Sequence, residues 1–334
     1  MIGGTASRAV YNLHDINFSL YKGMENNSKW GVIVCPKGKK KSTAKYWQKV
    51  KHAIEAKGID YDFVQSEKQG GAKRLVKMFI DNGYNTIVIV GGDSALNDAV
   101  NCLMAEPEET REKVKIGLIP YGVMNDFASF WELKEGEVEN CVEVAAAGKT
   151  RKVDVGHIIY NKVGDNGGKQ TAYFLNCVNV GLVASLMDMR NRTRHFTGSR
   201  TLSILFSFVM MLFKRKEFKM NLKIGTDEVK GRIMTVCVGN ARGYGLTPNG
   251  VPYNGLLDVS VVSNPIITQL LQGFYLLLNN RILNHRNVKP FRGKKVIVKD
   301  AGKSLVGIDG RLIDTPDGEF EIGVEQEKIN FIIP

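Results

Sequence analysis

In the first half of the chain, short unbroken apolar runs alternate with stretches of helical period. Gly31–Cys35 is followed by a polar loop, Lys37–Thr43, a helical stretch, Lys45–Ala56, and a short strand at Tyr61–Val64. A second helical pattern, Ala72–Asn82, leads to Thr86–Val90, which ends directly in Gly91-Gly92. A helix follows from Ser94 to Met104, and Lys115–Ile119 then runs into the loop Pro120-Tyr121-Gly122. Runs this apolar read as strands covered on both faces. Their alternation with helices over residues 29–150 predicts a Rossmann-like, open parallel α/β sheet, with ligands beyond the carboxyl ends of its strands.

After Thr150 the pattern becomes strand-rich. Lys152–Tyr160, Tyr173–Val180, Lys219–Ile224, Arg232–Val238 and Leu257–Val262 are separated by Gly, Asn and Pro turns. Helical stretches at Thr201–Phe213 and Ile267–Leu283 interrupt this series, and Lys294–Lys299, Glu319–Gly323 and Lys328–Ile333 are late strands. The expected division is an N-terminal extension over 1–28, an α/β domain over 29–150 and a β-sandwich-like domain over 151–320. A final strand, 321–334, is expected to return to the first domain.

Composition narrows the class. The chain has 334 residues, 43% hydrophobic and 24% charged, which excludes a disordered, collagen-like or coiled-coil protein. Its formal charge of +12 favours anionic partners, whether nucleotides, nucleic acid or an anionic membrane surface. The five cysteines are widely spaced, which fits a reducing cytoplasm rather than a disulfide framework or a zinc site. No secretory leader is expected, and Ile204–Phe213 is far short of the roughly 20 residues that cross a bilayer. None of the five histidines has metal-ligand spacing. The Arg190–Arg194 cluster lacks interleaved aromatics, so nucleic acid is not an expected partner.

Two loops carry candidate chemistry. In Val90-Gly91-Gly92-Asp93-Ser94 a strand turns through glycines into a helix start, where free amides and a partial positive charge suit phosphate oxygens. Ile119-Pro120-Tyr121-Gly122-Val123-Met124-Asn125-Asp126-Phe127 closes the next strand. Both loops belong to one rim of the sheet, so Asp93 and Asp126 are expected to face one cleft. Lys37, Lys39, Lys40 and Lys41 lie in the first loop, where solvated surface is the simpler reading than steering of phosphate.

These loops, with Ser66-Glu67-Lys68-Gln69-Gly70-Gly71-Ala72, Arg151-Lys152-Val153-Asp154-Val155-Gly156, Val238-Gly239-Asn240, Pro252–Asp258 and Ile308-Asp309-Gly310, resemble the diacylglycerol kinase catalytic domain family over residues 29–334. That family includes bacterial lipid kinases and sphingosine kinases and is distantly related to NAD kinases. The resemblance implies an ATP- and Mg²⁺-dependent kinase acting on the hydroxyl of a diacylglycerol- or sphingoid-type lipid, in phospholipid metabolism. It assigns Ser66, Gly91, Gly92, Ser94, Gly122 and Asn125 to the nucleotide, and Asp93, Asp126, Asp154 and Asp309 to the acidic catalytic network. Asn254 takes the metal-linked position. The implied setting is cytoplasmic; Ile204–Phe213 with Lys214-Arg215-Lys216 could seat an apolar face at the inner side of an anionic membrane, but a core-packing helix with a solvated end is the simpler reading. A homodimer is compatible with it.

Departures from the family pattern bear on activity. Ser94 and Ala95 replace Gly and Thr in the first turn, and Val123 and Met124 replace a Thr-Gly pair. Asn254 replaces an Asp, and Arg311 stands where the family has a catalytic Glu. A guanidinium stays protonated and cannot act as a base. The alternatives are therefore a catalytically degenerate nucleotide or lipid sensor, and a kinase for a soluble alcohol such as NAD.

Overall fold

Strand β1 (Trp30–Val34) lies between β2 (Tyr61–Gln65) and β3 (Thr86–Gly91), and β4 (Lys115–Pro120) lies beyond β3, all parallel. The computed structural model describes residues 29–36, 40–66, 70–122, 125–162, 168–193, 217–243, 245–263 and 266–334. Residues 1–28, Lys37, Lys39, Val123, Met124, the 201–213 helix and Lys214–Lys216 lie outside the described residues, as do the side chains of Lys40, Lys41 and Arg190–Arg194. Helices α1 (Lys40–Ala56), α2 (Ala72–Asp81), α3 (Asp93–Leu103), α4 (Glu108–Lys113), α5 (Asp126–Phe130) and α6 (Val138–Ala147) connect and follow these strands. In α2 the spacing of Ala72, Leu75, Val76 and Phe79 puts all four on one buried stripe. Helix α3 is different: Asp93, Asn97 and Asp98 are buried along with its apolar residues, because it is covered on more than one side.

From β1 the chain moves to β2 on one side and then to β3 on the other. The crevice at this reversal lies beyond the carboxyl ends of β1 and β3, the usual ligand position in such sheets.

The second half is β-rich: β5 (Thr150–Lys162), β6 (Lys169–Phe174), β7 (Cys177–Gly181), α7 (Leu182–Thr193), β8 (Phe218–Ile224), β9 (Asp227–Gly239), β10 (Leu257–Ser263), α8 (Ile267–Leu278), β11 (Val288–Gly293), β12 (Lys295–Asp300), β13 (Val306–Ile308), β14 (Arg311–Leu312) and β15 (Pro316–Ile332). Its sandwich-like core is built from inward β-branched residues, among them Val178, Val236, Val259, Val296, Val298 and Ile322. Strand β15 runs antiparallel to β5 along most of its length and antiparallel to β12 through Lys295–Val298. Its far end is parallel to β4, with Asn330 opposite Lys115 and Phe331 opposite Ile116.

Several sequence expectations change. Tyr173–Val180 is two strands, broken at Leu175-Asn176 because those amides turn to a side chain, Asp309. Glu319–Gly323 and Lys328–Ile333 belong to one strand, β15, whose register shifts between Glu325 and Ile329 around the left-handed Glu327 (φ 54°). The helix expected over Ile267–Leu283 stops at Leu278, with Asn280 left-handed and a short 3₁₀ turn at Ile282–Asn284. Strands β11, β13 and β14 had no clear period, β11 being interrupted by Pro290 on the sheet edge.

Candidate functional site

Gly91 ends β3, and its carbonyl accepts the amide of Tyr121 at 2.8 Å, which keeps the ends of β3 and β4 in register. A Cβ on Gly91 would stand 2.9 Å from the Ala95 Cβ and 3.2 Å from the Cys35 Cβ, so the turn needs the missing side chain. Gly92 is the extended N-cap of α3, and its carbonyl accepts the amides of Ala95 and Leu96. Asp93 is the first helical residue and faces the second loop. Its Oδ2 accepts the Asp126 amide at 2.9 Å and its Oδ1 the Phe127 amide at 3.2 Å, so one carboxylate caps α5 from a neighbouring helix. Burial, and then the charges of Asp126 and Asp309, push the Asp93 carboxyl up to about 8, against the two amides that favour its ionised form.

Asp309 sits at a left-handed position (φ 42°) between β13 and β14, buried. Its oxygens accept the amides of Leu175 (2.8 Å), Asn176 (3.0 Å) and Cys177 (2.9 Å) and the Asn97 side-chain amide (3.0 Å). Burial pushes it up to about 6, while these four donors pull the other way. Asn97 also donates to the Tyr173 carbonyl (2.7 Å), and Asn101 both donates to that carbonyl (2.9 Å) and accepts the Tyr173 amide (3.0 Å). One face of α3 is thereby bound to β6. One residue on from Asn97, Asp98 receives both terminal nitrogens of Arg311. Cys35, at the end of β1, feels both charges of that pair; burial and the Asp98 carboxylate hold its thiol up at about 12.

The remaining candidates are placed as follows. Ser66 is buried just past β2, its amide donating to the Val34 carbonyl at 2.8 Å. Ser94 is half-buried in the first turn of α3. Gly122 is buried at the start of the second loop. Asn125 donates to Glu135 at 3.2 Å, and its buried Oδ1 has no donor among the described residues. Asp154 is fully buried, with Oδ2 accepting the Gly255 amide (2.7 Å) and Oδ1 the Glu327 amide (2.9 Å). Gly255 is left-handed, and a Cβ there would overlap the Gln326 side chain, so this contact also requires glycine. Asn240 ties the carbonyls of Asp154 and Leu175 together. Asn254 is exposed, its Oδ1 accepting the Leu256 amide in an Asx turn.

Asp93, Asp126 and Asp309 therefore form one electrostatic group, whereas the Asp154 carboxylate holds the 252–255 loop against β15. Asn97, Asp98, Asn101 and Tyr173 join the site without a motif to mark them, the i, i+4 spacing of the two asparagines being their one signal in the sequence. Among the described residues no group of three or more His, Cys, Asp and Glu could hold a metal ion. Mg²⁺ asks for less, since it commonly takes one or two carboxylates and completes its shell with phosphate oxygens and water. Half-buried Asp126, beside the unpartnered Asn125 Oδ1, fits that requirement. No helix among the described residues is long and apolar enough to cross a membrane.

Residues 29–158 match the diacylglycerol kinase catalytic domain, and residues 176–323 the YegS C-terminal NAD kinase beta sandwich-like domain. A diacylglycerol kinase of Mycobacterium tuberculosis (strain CDC 1551 / Oshkosh) is 24% identical over 253 residues, 75% of this chain and 78% of that protein. A Pectobacterium atrosepticum protein named "Probable lipid kinase YegS-like" is 27% identical over 215 residues, 62% of this chain and 66% of its own. In fold, the chain is similar to the crystal structure of a Bacillus anthracis diacylglycerol kinase, with a TM-score of 0.63 and 16% identity over 92% of this chain and 97% of that one. With both of its halves matched in order, and the paired carboxylate loops at the sheet's reversal, the chain belongs to the diacylglycerol kinase catalytic domain family.

Proposed function

We propose that the protein transfers the γ-phosphoryl group of ATP to the hydroxyl of a diacylglycerol- or sphingoid-type lipid, in the cytoplasm. The observation that carries this reading is the Asp93 carboxylate, buried at the glycine turn, bound to the amides of the second loop and pushed by burial up to about 8. A base poised there suits proton transfer from an alcohol. The Gly91–Ser94 turn, which opens α3, together with Gly122 and Asn125, would cradle the phosphates. The acceptor oxygen bonds to the γ-phosphorus as the bond from that phosphorus to the bridging oxygen breaks. Asp93 takes the hydroxyl proton, and ADP leaves. Asp126 and the side-chain Oδ1 of Asn125 would hold Mg²⁺, which would neutralise phosphate charge when bound. Asp309 and Asp154 act at a distance from the transferred group, as positioning residues that fix α3 and the 252–255 loop.

The test is transfer of labelled phosphate to an extracted lipid mixture, with NAD as a parallel acceptor. Asp93→Asn should abolish transfer and leave the fold intact. Parent activity that survives this substitution would show that the site is misplaced, and transfer to NAD alone would replace the lipid acceptor. The second reading, a catalytically degenerate nucleotide or lipid sensor, is favoured by one observation: Arg311 occupies the position of the family's catalytic Glu and is bound to Asp98. A parent no more active than Asp93→Asn, yet binding ATP in calorimetry, would establish that reading.

A further inference from the structure

Helix α8 turns apolar side chains to both sides. Leu270 is buried beneath it, and Gly273 lies against the ring of the buried His285. On the opposite side Ile267, Leu271, Tyr275 and Leu278 are 53%, 51%, 67% and 65% exposed. Their spacing of four, four and three residues sets them in a single stripe about three turns long. A soluble helix normally puts charge there. This one has none: α8 contains no Asp, Glu, Lys or Arg.

The charge around the stripe indicates what covers it. Between Asp258 and Asp300 the chain has seven Lys and Arg residues and no acidic residue. Three of the seven are neutralised from elsewhere in the fold: Arg292 by Asp258, Lys295 by Glu321 and Lys299 by Glu228. The other four, Arg281, Arg286, Lys289 and Lys294, are exposed and have no ion pair among the described residues. Arg281 and Arg286 lie in the turn that leaves α8, Lys289 on β11, the edge strand it leads into, and Lys294 just past the end of that strand. A second copy of this chain would bring another +12 field to the same place, which opposes pairing through it.

We infer that α8 is an in-plane membrane anchor: its stripe of Ile267, Leu271, Tyr275 and Leu278 enters the headgroup–acyl boundary of an anionic bilayer while Arg281, Arg286, Lys289 and Lys294 meet lipid phosphates. Twelve residues of helix suit lying in the interface and are too few to span it. The cations add long-range attraction that depends on lipid charge and salt. The inference is separate from phosphoryl transfer, since docking needs neither nucleotide nor an active site.

The experiment is co-sedimentation of the full chain, without nucleotide, with vesicles of phosphatidylcholine alone and of phosphatidylcholine mixed with phosphatidylglycerol. Binding is expected only to the mixed vesicles, weakening as salt is raised. Leu271→Ser with Tyr275→Ser, and separately Arg281→Gln with Arg286→Gln, should each lower the partition by roughly tenfold. The altered side chains are exposed, so thermal melts should match the parent's, and folding is thereby separated from docking. Unchanged binding in both variants overturns the inference. So does a parent dimer that Leu271→Ser with Tyr275→Ser converts to monomer without loss of vesicle binding, an outcome that would assign the stripe to a second copy.

Discussion

Arg311 holds Asp98 with both terminal nitrogens, Nη2 donating to Oδ2 at 3.0 Å and Nη1 to Oδ1. The two residues stand 213 positions apart in sequence, so the pair fastens the β13–β14 turn to the helix that opens with Asp93. Asp98 is 9% exposed and Arg311 31%, a geometry in which a paired, planar guanidinium is worth more than a surface charge. A Glu at position 311 would therefore set two carboxylates against each other.

Arg311→Glu should lower stability by about 1–3 kcal/mol, less than for a fully buried pair because the guanidinium is partly solvated. Asp98→Arg combined with Arg311→Glu should recover much of this loss. Denaturant melts of the two single variants and the double variant would measure the coupling, which is expected to favour the native pairing. Additive effects would show that the contact contributes nothing.

Asp309→Asn should cost about 1–3 kcal/mol, because the substituted amide has one acceptor oxygen for the four donors that converge on the carboxylate. Hydrogen exchange should accelerate first at the amides of Leu175, Asn176 and Cys177. Protection that stays unchanged there would remove Asp309 as the organiser of the β6–β7 break.

Acidity has a defined sign. Both Asp93, at about 8, and Asp309, at about 6, titrate above their ordinary value of 3.8, so the folded chain holds protons that the unfolded chain has released. The stability from these protonated forms is fully present below about pH 4, declines as pH rises, and is gone above about pH 8. The melting temperature of Asp93→Asn minus that of the parent should accordingly become more positive from pH 4 to pH 8. A difference independent of pH would mean that Asp93 is already ionised.

Gly91→Ala places a methyl 2.9 Å from the Ala95 Cβ, and overpacking of this kind costs about 1–3 kcal/mol. The turn before Asp93 should shift, and calorimetry should show weaker ATP binding in the variant than in the parent. Equal affinity would separate this turn from the nucleotide.

The parallel half of the fold was legible because strands buried on both faces are written as unbroken β-branched runs, as in Thr86–Val90. Asp93 and Asp126 could be found for the same reason, each lying just beyond such a run. Tyr173–Val180 misled because its break is made by Asp309, more than 130 residues later, and nothing local marks a carboxylate that collects three successive amides. Arg311 was recognisable as a departure, but its partner was not: Asp98 reads as an ordinary polar helix position until the fold brings the two together.

Strand β15 closes the β4 side of the parallel sheet with residues Asn330 and Phe331, made more than two hundred positions after β4 itself. On the ribosome, the first half of the chain must therefore wait with an open, apolar strand edge while the whole sandwich is synthesised. Edges of this kind recruit neighbouring chains. The nascent protein is most vulnerable to aggregation late in translation, and cleavage in the 252–255 loop, which Asp154 holds against the same strand, would leave two fragments that can complete their sheets only by re-associating.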